Sequence, residues 1–340
     1  MERTMKEMST MRGMKHLKKA VTTAILAFSV ALTTGAAHAQ QYPSKPIKIV
    51  VGFAAGGPTD VIARLLAQHM SLSMGQTVLV ENKTGANALI ATEEVAHAQP
   101  DGYTLLFASL SHNVNAILMP HRVKYDPLKS FAPVTLVATL PMIVVTAASS
   151  PFNSIQDLIT RAKADPGAVS FGSAGNGGSA HLAGELLRTQ TGVDMTHVPF
   201  RGNGPALAEV IGGRVSFMFY PSIGIADYVA SKRLKVLALG STQRNPEFPG
   251  VPTMAEVGYK GFENTAPWVG LLAPAGTPEA IVQKLANEVN RVMALPEAKE
   301  RLRSLGGIAI GGSPAEFTTF LVNDREHWAK LIKAAGVKGE

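Results

Sequence analysis

Residues 48–70, KIVVGFAAGGPTDVIARLLAQHM, predict a β-strand, a glycine-rich turn and an α-helix in immediate succession. The apolar run at 48–53 is typical of a buried strand. The apolar residues between Thr59 and Met70 recur near helical spacing, which favours an amphipathic helix. Short strands that alternate with such helices are the pattern of a parallel α/β sheet. This unit therefore predicts an α/β fold.

The same alternation continues along most of the chain. Further strands are predicted at 77–81, 103–109, 169–173, 195–199, 215–220 and 236–241, and helices at 87–98, 179–189 and 205–211. Two apolar runs within 134–146 are broken by Pro141, which indicates a crossing between lobes, and 269–273 indicates the crossing back. We therefore predict two lobes, each a mainly parallel sheet flanked by helices: 40–141 plus 265–340, and 142–264.

Three helix starts are predicted from capping residues. Ser154 with Asp157 precedes one helix, and Ser313 with Glu316 forms a capping box before the C-terminal helix. Thr277 is the expected cap of a third helix, because a proline and a glutamate follow it. Of the histidines, His112 is expected in a polar loop.

The N-terminal 39 residues are predicted to be a signal peptide. A basic segment from Arg12 to Lys19 precedes an apolar run at about 20–35, and an A-x-A site ends at Ala39, before Gln40. That run is shorter than the roughly 20 residues needed to span a bilayer, so a retained membrane anchor is the less favoured alternative. We therefore expect export to the periplasm.

Composition excludes several classes of function. The 340 residues include no cysteine, which excludes disulfides, thiolate chemistry and cysteine-based metal sites. The net charge is +7, but residues 1–39 hold six basic and two acidic residues, which leaves about +3 on the mature chain. With no basic cluster in that part and 6% aromatic residues, nucleic-acid binding has no support.

Glycine-rich turns between strands and helices are the sharpest local signals. The first is GFAAGGPTD at 52–60, and the second is GSAGNGGSAH at 172–181. Unpaired N–H groups at a helix start attract anions, and glycine lets a ligand approach the backbone. The alternative is that these glycines only allow the chain to turn. The presence of one such turn in each predicted lobe favours a role in ligand binding. A third turn, PFRGNGP at 199–205, adds Arg201. Arginine is suited to bind a carboxylate, but an Arg201 that faces solvent is an equally favoured alternative.

Enzymatic readings of the same residues find little support. Gly175, Gly177 and Ala180 match the dinucleotide pattern G-x-G-x-x-A, but no acidic residue ends the following strand to bind a ribose. No Gly-Lys-Ser/Thr follows the glycines, and the turn around Ser173 lacks the G-x-S-x-G elbow. The histidines form no metal-binding motif. We therefore predict a binding protein with no cofactor and no metal, and not an enzyme.

At these same turns the chain resembles the Bug (TctC-like) family of tripartite tricarboxylate transporter solute-binding proteins. The resemblance is carried by these segments: YPxKPI at 42–47, GGPTD at 56–60, QPDGYTL at 99–105, GSAGNG at 172–177, HVPFRG at 197–202, PTMAExGY at 252–259 and APAGTP at 273–278. They occur in order along essentially the whole mature chain. Two positions depart from the family: GANA at 85–88 replaces the usual GAGG, and Tyr220 stands where relatives often carry aspartate.

The resemblance implies a type II periplasmic-binding-protein fold whose two lobes close over a small carboxylate: a dicarboxylate, an acidic amino acid or an aromatic acid. It implies delivery to the membrane permease subunits of a tripartite tricarboxylate transporter, and we expect a monomer. Recognition in the family resembles binding by backbone amides and bridging waters. Carried over by position, the implied ligand-binding residues are Phe53, Ala54, Gly57, Pro58, Thr59, Asp60, Ser173, Ala174, Asn176, Gly178, Ser179, His181, Phe200 and Arg201.

Two other functions stay open at this point. An extracytoplasmic sensing subunit on the same fold would need the same closing cleft, so the sequence hardly separates it from a transport receptor. An exported enzyme is the third hypothesis. The departures at 85–88 and at Tyr220 suggest a narrower or more polar pocket wall, and a more acidic or aromatic ligand.

Overall fold

The computed structural model describes residues 42–200, 202–222, 224–304 and 306–337; the predicted signal peptide and Arg201 lie outside these residues. The strands are β1 Ile47–Val51, β2 Val78–Asn82, β3 Thr104–Ser109, β4 Phe131–Thr139, β5 Met142–Ala147, β6 Ser170–Ser173, β7 Thr196–Pro199, β8 Phe217–Pro221, β9 Leu234–Leu239, β10 Trp268–Pro274 and β11 Ile308–Ala309. The helices are α1 Pro58–Met74, α2 Leu89–Ala96, α3 Ser111–Leu118, α4 Ile155–Ala164, α5 Ser179–Thr191, α6 Asn203–Ile211, α7 Ala226–Ala230, α8 Glu279–Ala294, α9 Pro296–Ser304 and α10 Pro314–Ala335.

The strands form two separate sheets, which confirms the predicted α/β fold class. The first sheet has the order β11-β4-β10-β3-β1-β2, and the second has the order β7-β6-β8-β5-β9. Strands β1, β2 and β3 are parallel, as are β6, β7 and β8. Strands β10 and β5 pair antiparallel with their neighbours, so both sheets are mixed rather than mainly parallel. Strands β10 and β5 are the ones at which the chain arrives from the other sheet and not through a helical crossover.

The chain changes sheets at Pro141, as predicted. Strand β4 of the first sheet ends at Thr139 and β5 of the second begins at Met142. The return segment lies alongside, because Leu140 N–H donates to the Pro267 carbonyl over 2.8 Å. Two such neighbouring crossings are the geometry of a hinge. The exact extents of the two lobes stay a prediction.

Each sheet has its own apolar core, and a third cluster connects them. Phe171, Phe217 and Phe219 are fully buried around the second sheet, while Trp268 and Phe317 are buried in the core of the first. The third cluster joins Val114 of α3, Leu182 of α5 and Trp328 of α10. It therefore packs helices from both halves of the chain against one another. Within the described residues, no helix combines the length and apolarity needed to cross a membrane.

Two of the predicted helix caps are confirmed and one is wrong. Ser154 accepts from Asp157 N–H at the start of α4, and Ser313 with Glu316 forms both halves of a capping box. Thr277 does not cap α8: its hydroxyl donates to the Pro274 carbonyl over 2.8 Å, and α8 begins after Pro278 with no side-chain cap. The Pro274 carbonyl, in the turn that precedes the helix, accepts from this hydroxyl, so the hydroxyl is not available to cap α8.

The expectation that His112 lies in a polar loop is also wrong. His112 lies in α3 and is buried, together with Ser111, Asn113 and Asn115. Its Nε2 lies 2.8 Å from the Pro127 carbonyl, and its ring stacks near Tyr125. Helix propensity is weak in this polar segment, and packing overrides it. Burial lowers the pKa of His112 to about 4, so the buried ring is neutral at physiological pH.

Candidate ligand-binding site

The first glycine-rich turn, between β1 and α1, is held in place by Asp60. This carboxylate is buried and accepts three hydrogen bonds: from Gly56 N–H (2.8 Å), from Arg64 Nε (2.9 Å) and from Asn82 Nδ2 (2.9 Å). Asn82 Nδ2 also donates to the Phe53 carbonyl over 2.9 Å, so it binds both ends of the turn. Asp60 is therefore saturated by contacts within its own turn.

The electrostatics of Asp60 follow from these partners. Burial alone would raise its pKa, but the hydrogen bonds from Arg64, Gly56 and Asn82, together with the charge of Arg64, lower the pKa below its ordinary value. The group is a carboxylate throughout the physiological range. Because its negative charge is matched by these donors, it does not prevent an anion from approaching the start of α1.

The second glycine-rich turn, between β6 and α5, rests on Ser173, His181 and His197. Gly177 N–H donates to His181 Nδ1 over 3.0 Å, and Gly175 N–H donates to Ser173 Oγ over 3.1 Å. Ser173 Oγ also lies 2.7 Å from His197 Nε2. Both Ser173 and His181 are buried. These side chains hold the turn from behind, so the surface that it presents to a ligand is mainly backbone.

The Ser173–His197 pair has the distance of a catalytic dyad but not its setting. The Ser173 hydroxyl is fully buried and already bonded to the turn, whereas a nucleophile must reach its substrate. Burial, followed by the charges of His181 and Arg188, lowers the pKa of His197 to about 3. A base at the operating pH has a pKa much closer to 7. The geometry supports a structural role for this pair.

Helices α1 and α5 both start at a glycine, and neither has a side-chain cap among the described residues. The N-cap of α1 is Gly57 and that of α5 is Gly178, and both have extended backbone. The first N–H groups of a helix have no partner within the helix, and they lie at the positive end of its dipole. Each helix start can therefore donate to a carboxylate through its backbone, as at many anion sites.

The turn at 85–88 and helix α3 lie between these two glycine-rich turns. Ala86, Asn87 and Ala88 all have positive φ (45°, 52° and 68°), a conformation that L-residues adopt rarely. The turn is held by a reciprocal amide pair: Asn115 Nδ2 donates to the Asn87 carbonyl over 2.8 Å, and Asn87 Nδ2 donates to Asn115 Oδ1 over 3.0 Å. This brace keeps a strained turn beside the first glycine-rich turn.

Contacts of two glycines show how close these segments lie. A Cβ at Gly52 would fall 2.2 Å from the Ala88 Cβ. A Cβ at Gly177 would fall 2.5 Å from Leu118 Cδ1, at the end of α3. Helix α3 therefore touches the second glycine-rich turn, while its Asn115 supports the segment beside the first. Side chains at Gly52 and Gly177 would separate these elements.

A cavity of about 430 Å³ opens next to the first glycine-rich turn. Gly56, Pro58 and Val61 line it from the first turn and α1, and Leu207 lines it from α6. The remaining lining residues are Gly204, Ala208, Ile211, Tyr220, Gly224, Tyr228 and Arg233. This volume lies within the usual range for small-molecule pockets.

The sequence-predicted residues are distributed as follows. Ala54, Ala174 and Asn176 are exposed; Phe53, Gly57, Pro58, Thr59, Gly178, Ser179 and Phe200 are half-buried; Asp60, Ser173 and His181 are buried. Of these, only Pro58 lines the cavity. The second turn contacts α3 at Gly177. Arg201 is outside the described residues.

Several structurally important residues were not predicted from the sequence. Asn82 and Asn115 brace the turns from distant positions, and Tyr228 and Arg233 line the cavity. Asn82 ends a predicted strand beside the first glycine-rich turn, which is a usable signal for a bracing role. No local pattern marks Arg233. Within the described residues, no group of three or more potential metal-ligating side chains comes together.

Comparison with known proteins gives a consistent result. The sequence profile described as the tripartite tricarboxylate transporter family receptor (TctC) matches residues 62–337. An UPF0065 protein of Pseudomonas sp. (strain P51) is 40% identical over 308 residues, which cover 89% of this chain and 91% of that protein. Protein BugT of Bordetella pertussis is 35% identical, over 88% of this chain and 92% of that protein.

Solved structures show the same similarity in three dimensions. The periplasmic binding protein BugD superposes with a TM-score of 0.80 at 37% identity, covering 88% of this chain and 100% of that chain. An R. palustris protein with adipate gives 0.82 at 32% identity, with coverage of 88% and 100%. MatC from Rhodopseudomonas palustris with bound malate gives 0.78 at 32% identity, with coverage of 86% and 100%.

Proposed function

This chain belongs to the tripartite tricarboxylate transporter receptor family, and on that basis we propose that it captures a small carboxylate by hinge closure and delivers it to a membrane permease. The ligand is a dicarboxylate, an acidic amino acid or an aromatic acid. The protein acts in the periplasm as a monomer, after removal of the N-terminal signal peptide. It binds its ligand without transforming it.

The observation that carries this proposal is the pair of glycine-capped helix starts, at Gly57 and Gly178. Each turn is held by buried side chains, so its backbone is organised before any ligand arrives. Preorganised donors bind more tightly, because little conformational entropy is lost on binding. Backbone N–H groups at helix starts suit a carboxylate and need no cationic side chain.

The related structures support the carboxylate part of the proposal. The R. palustris protein is described with adipate and MatC with malate, and both ligands are dicarboxylates. Hinge closure is supported by the two neighbouring crossings at Leu140 and Pro267. A ligand that contacts both halves favours the closed state by its differential affinity.

The test is a calorimetric and thermal-shift screen of carboxylates on protein that has been unfolded, dialysed and refolded to remove any bound ligand. A ligand that binds only the native state raises stability by about 2.7 kcal/mol at 100 times its Kd. For a chain of this size that corresponds to a shift of several degrees in Tm. The absence of any carboxylate that shifts Tm or gives a binding isotherm would contradict the proposal.

Three glycine variants test the site itself. Gly57→Ala and Gly178→Ala each add a methyl group at a helix start whose φ (−76° and −73°) alanine adopts freely. The nearest atom to the added methyl lies 3.3 Å away at Gly57 and 3.4 Å away at Gly178. We expect affinity to fall about tenfold or more, since the methyl blocks close approach to the backbone donors. Gly250→Ala is the matched control, because a Cβ there meets nothing within 4 Å.

A further inference from the structure

Among the described residues that line the cavity beside the first glycine-rich turn, one carries a charged side chain. This residue is Arg233, and none of the described lining residues is acidic. Within the described part of the chain, Arg233 forms no ion pair: its guanidinium lies 5.1 Å from the centroid of the Tyr228 ring, in a cation–π arrangement. The stacking orients the guanidinium and leaves its N–H donors available. Arg233 is exposed, so its guanidinium is accessible to an anion in the cavity, where it could form charge-assisted hydrogen bonds.

The wall next to Arg233 is aromatic and partly polar. Tyr220, at the end of β8, is buried and lines the cavity together with Tyr228. Among the described residues the Tyr220 hydroxyl forms no hydrogen bond, and it is not one of the fully enclosed polar atoms, so a ligand in the cavity can reach it. Burial and the nearby Tyr228 raise the pKa of Tyr220, so the group is a neutral donor. A ligand oxygen would satisfy it.

The rest of the cavity is apolar. Pro58 and Val61 of α1 line it together with Leu207 and Ile211 of α6. At the α1 side the cavity meets Gly56 and Pro58, the start of the helix whose N–H groups we propose to bind one carboxylate. A ligand that fills this space would therefore have an anionic end at α1, an apolar or aromatic middle, and a second anionic end at Arg233.

We propose that Arg233, Tyr228 and Tyr220 form a second anion subsite, and that this subsite selects dicarboxylates whose carboxylates are separated by an aromatic ring or an apolar chain. The inference rests on the proposed function, because the first carboxylate is held at the glycine-rich turns. Arg233 is the specificity-determining residue: it binds the carboxylate that a monocarboxylate lacks. Tyr228 acts through Arg233, as the platform that orients the guanidinium.

The test compares pairs of probes that differ only in the second carboxylate: benzene-1,4-dicarboxylate with benzoate, and hexanedioate with hexanoate. Binding is measured by calorimetry on refolded protein. The unsubstituted protein should prefer the dicarboxylate of at least one pair. Arg233→Gln should weaken dicarboxylate binding by at least about tenfold, the loss typical of a charge-assisted hydrogen bond, and change monocarboxylate binding by less than about twofold.

Two variants of Tyr228 test its proposed role as the platform for Arg233. Tyr228→Phe keeps the aromatic platform and should retain the preference, whereas Tyr228→Ala should reduce it. Arg301→Gln is the matched control: it removes an exposed arginine from α9, and Arg301 does not line the cavity. Tm of each variant without added probe verifies folding.

The outcomes separate the two proposals. If no carboxylate binds at all, the proposed function fails, and this inference fails with it. If carboxylates bind but the protein prefers the monocarboxylates, the second subsite is refuted while the proposed function stands. The second subsite is likewise refuted if Arg233→Gln weakens the binding of both members of a pair equally, or of neither.

Discussion

His181 and His197 stack with their ring centroids 3.9 Å apart and their planes 15° from parallel, and each binds a different part of the second glycine-rich turn. His181 accepts from Gly177 N–H, and His197 lies within hydrogen-bond distance of Ser173. Two stacked imidazoles tolerate this distance when both are neutral. The integrity of the turn therefore depends on both rings staying unprotonated.

This dependence predicts how stability varies with pH. Burial and then the charge of Arg188 lower the pKa of His181 to about 4, and that of His197 is lowered to about 3. In the unfolded chain these two histidines have a pKa near 6.5. Between pH 6.5 and the native pKa values, the unfolded chain therefore binds more protons than the native state. The contribution of this pair to the free energy of unfolding is therefore fully present above pH 6.5 and is lost as pH falls. The loss is about 1.4 kcal/mol for each unit of difference between the unfolded and native pKa.

The measurement is Tm or the free energy of unfolding between pH 7 and 4. His181→Asn places Oδ1 where Nδ1 now accepts from Gly177, and it removes one titrating group. We expect a shallower fall of stability with decreasing pH in this variant. His121→Asn, at an exposed histidine, should leave the slope as it is. An unchanged slope in His181→Asn would show that the stacked pair does not contribute to the pH dependence.

Asp60→Asn should loosen the first glycine-rich turn. The amide offers one acceptor oxygen where the carboxylate accepts from Gly56, Arg64 and Asn82, so at least one of these donors loses its partner. We expect a loss of about 2–3 kcal/mol in denaturant unfolding. Asp165→Asn removes a carboxylate from an exposed i,i+4 pair with Arg161 and should cost less than about 1 kcal/mol. Equal losses would contradict the assigned role of Asp60.

Asn115→Asp tests the brace of the turn at 85–88. The variant can still accept from Asn87 Nδ2, but it sets a buried carboxylate oxygen against the Asn87 carbonyl. We expect a loss of about 2–4 kcal/mol at pH 7 that shrinks at low pH, because burial raises the pKa of the new carboxyl and its protonated form is a donor. Asn287→Asp on α8 keeps its role as acceptor from Gln283 and should be nearly neutral. A loss independent of pH would refute this account.

Gly184→Ala should cost much more stability than Gly204→Ala. Both glycines lie in helices, where alanine is intrinsically favoured by up to about 1 kcal/mol. At Gly184 the new methyl would fall 2.2 Å from the ring of the fully buried Phe171, an overpacking that costs about 1–3 kcal/mol. At Gly204 a Cβ meets nothing within 4 Å apart from its chain neighbours, but Pro205 disfavours a helical alanine before it, so that variant should be nearly neutral. Chemical denaturation measures both.

Local patterns determined much of what the sequence predicted correctly. The strand, glycine-rich turn and helix at 48–70 are set by periodicity and by glycines, and the Ser154 and Ser313 caps are set by residues three positions away. Interactions that span a few residues leave a signature in consecutive letters. The same holds for the break at Pro141, where an imino acid separates two apolar runs.

The tertiary structure decided what the site residues do. Asp60, Ser173 and His181 looked equally able to touch a ligand, but partners such as Asn82, 22 residues from Asp60, and His197, 24 residues from Ser173, engage them within the turns. Helix α3 forms in a polar segment because distant side chains bury it. Arg233 and Pro58, which lie far apart in the chain, line the same cavity only in the folded protein. By itself the sequence determined which turns are rich in glycine; only the folded chain decided which side chains hold them and which remain free for a ligand, because these choices depend on neighbours that are far apart in the chain.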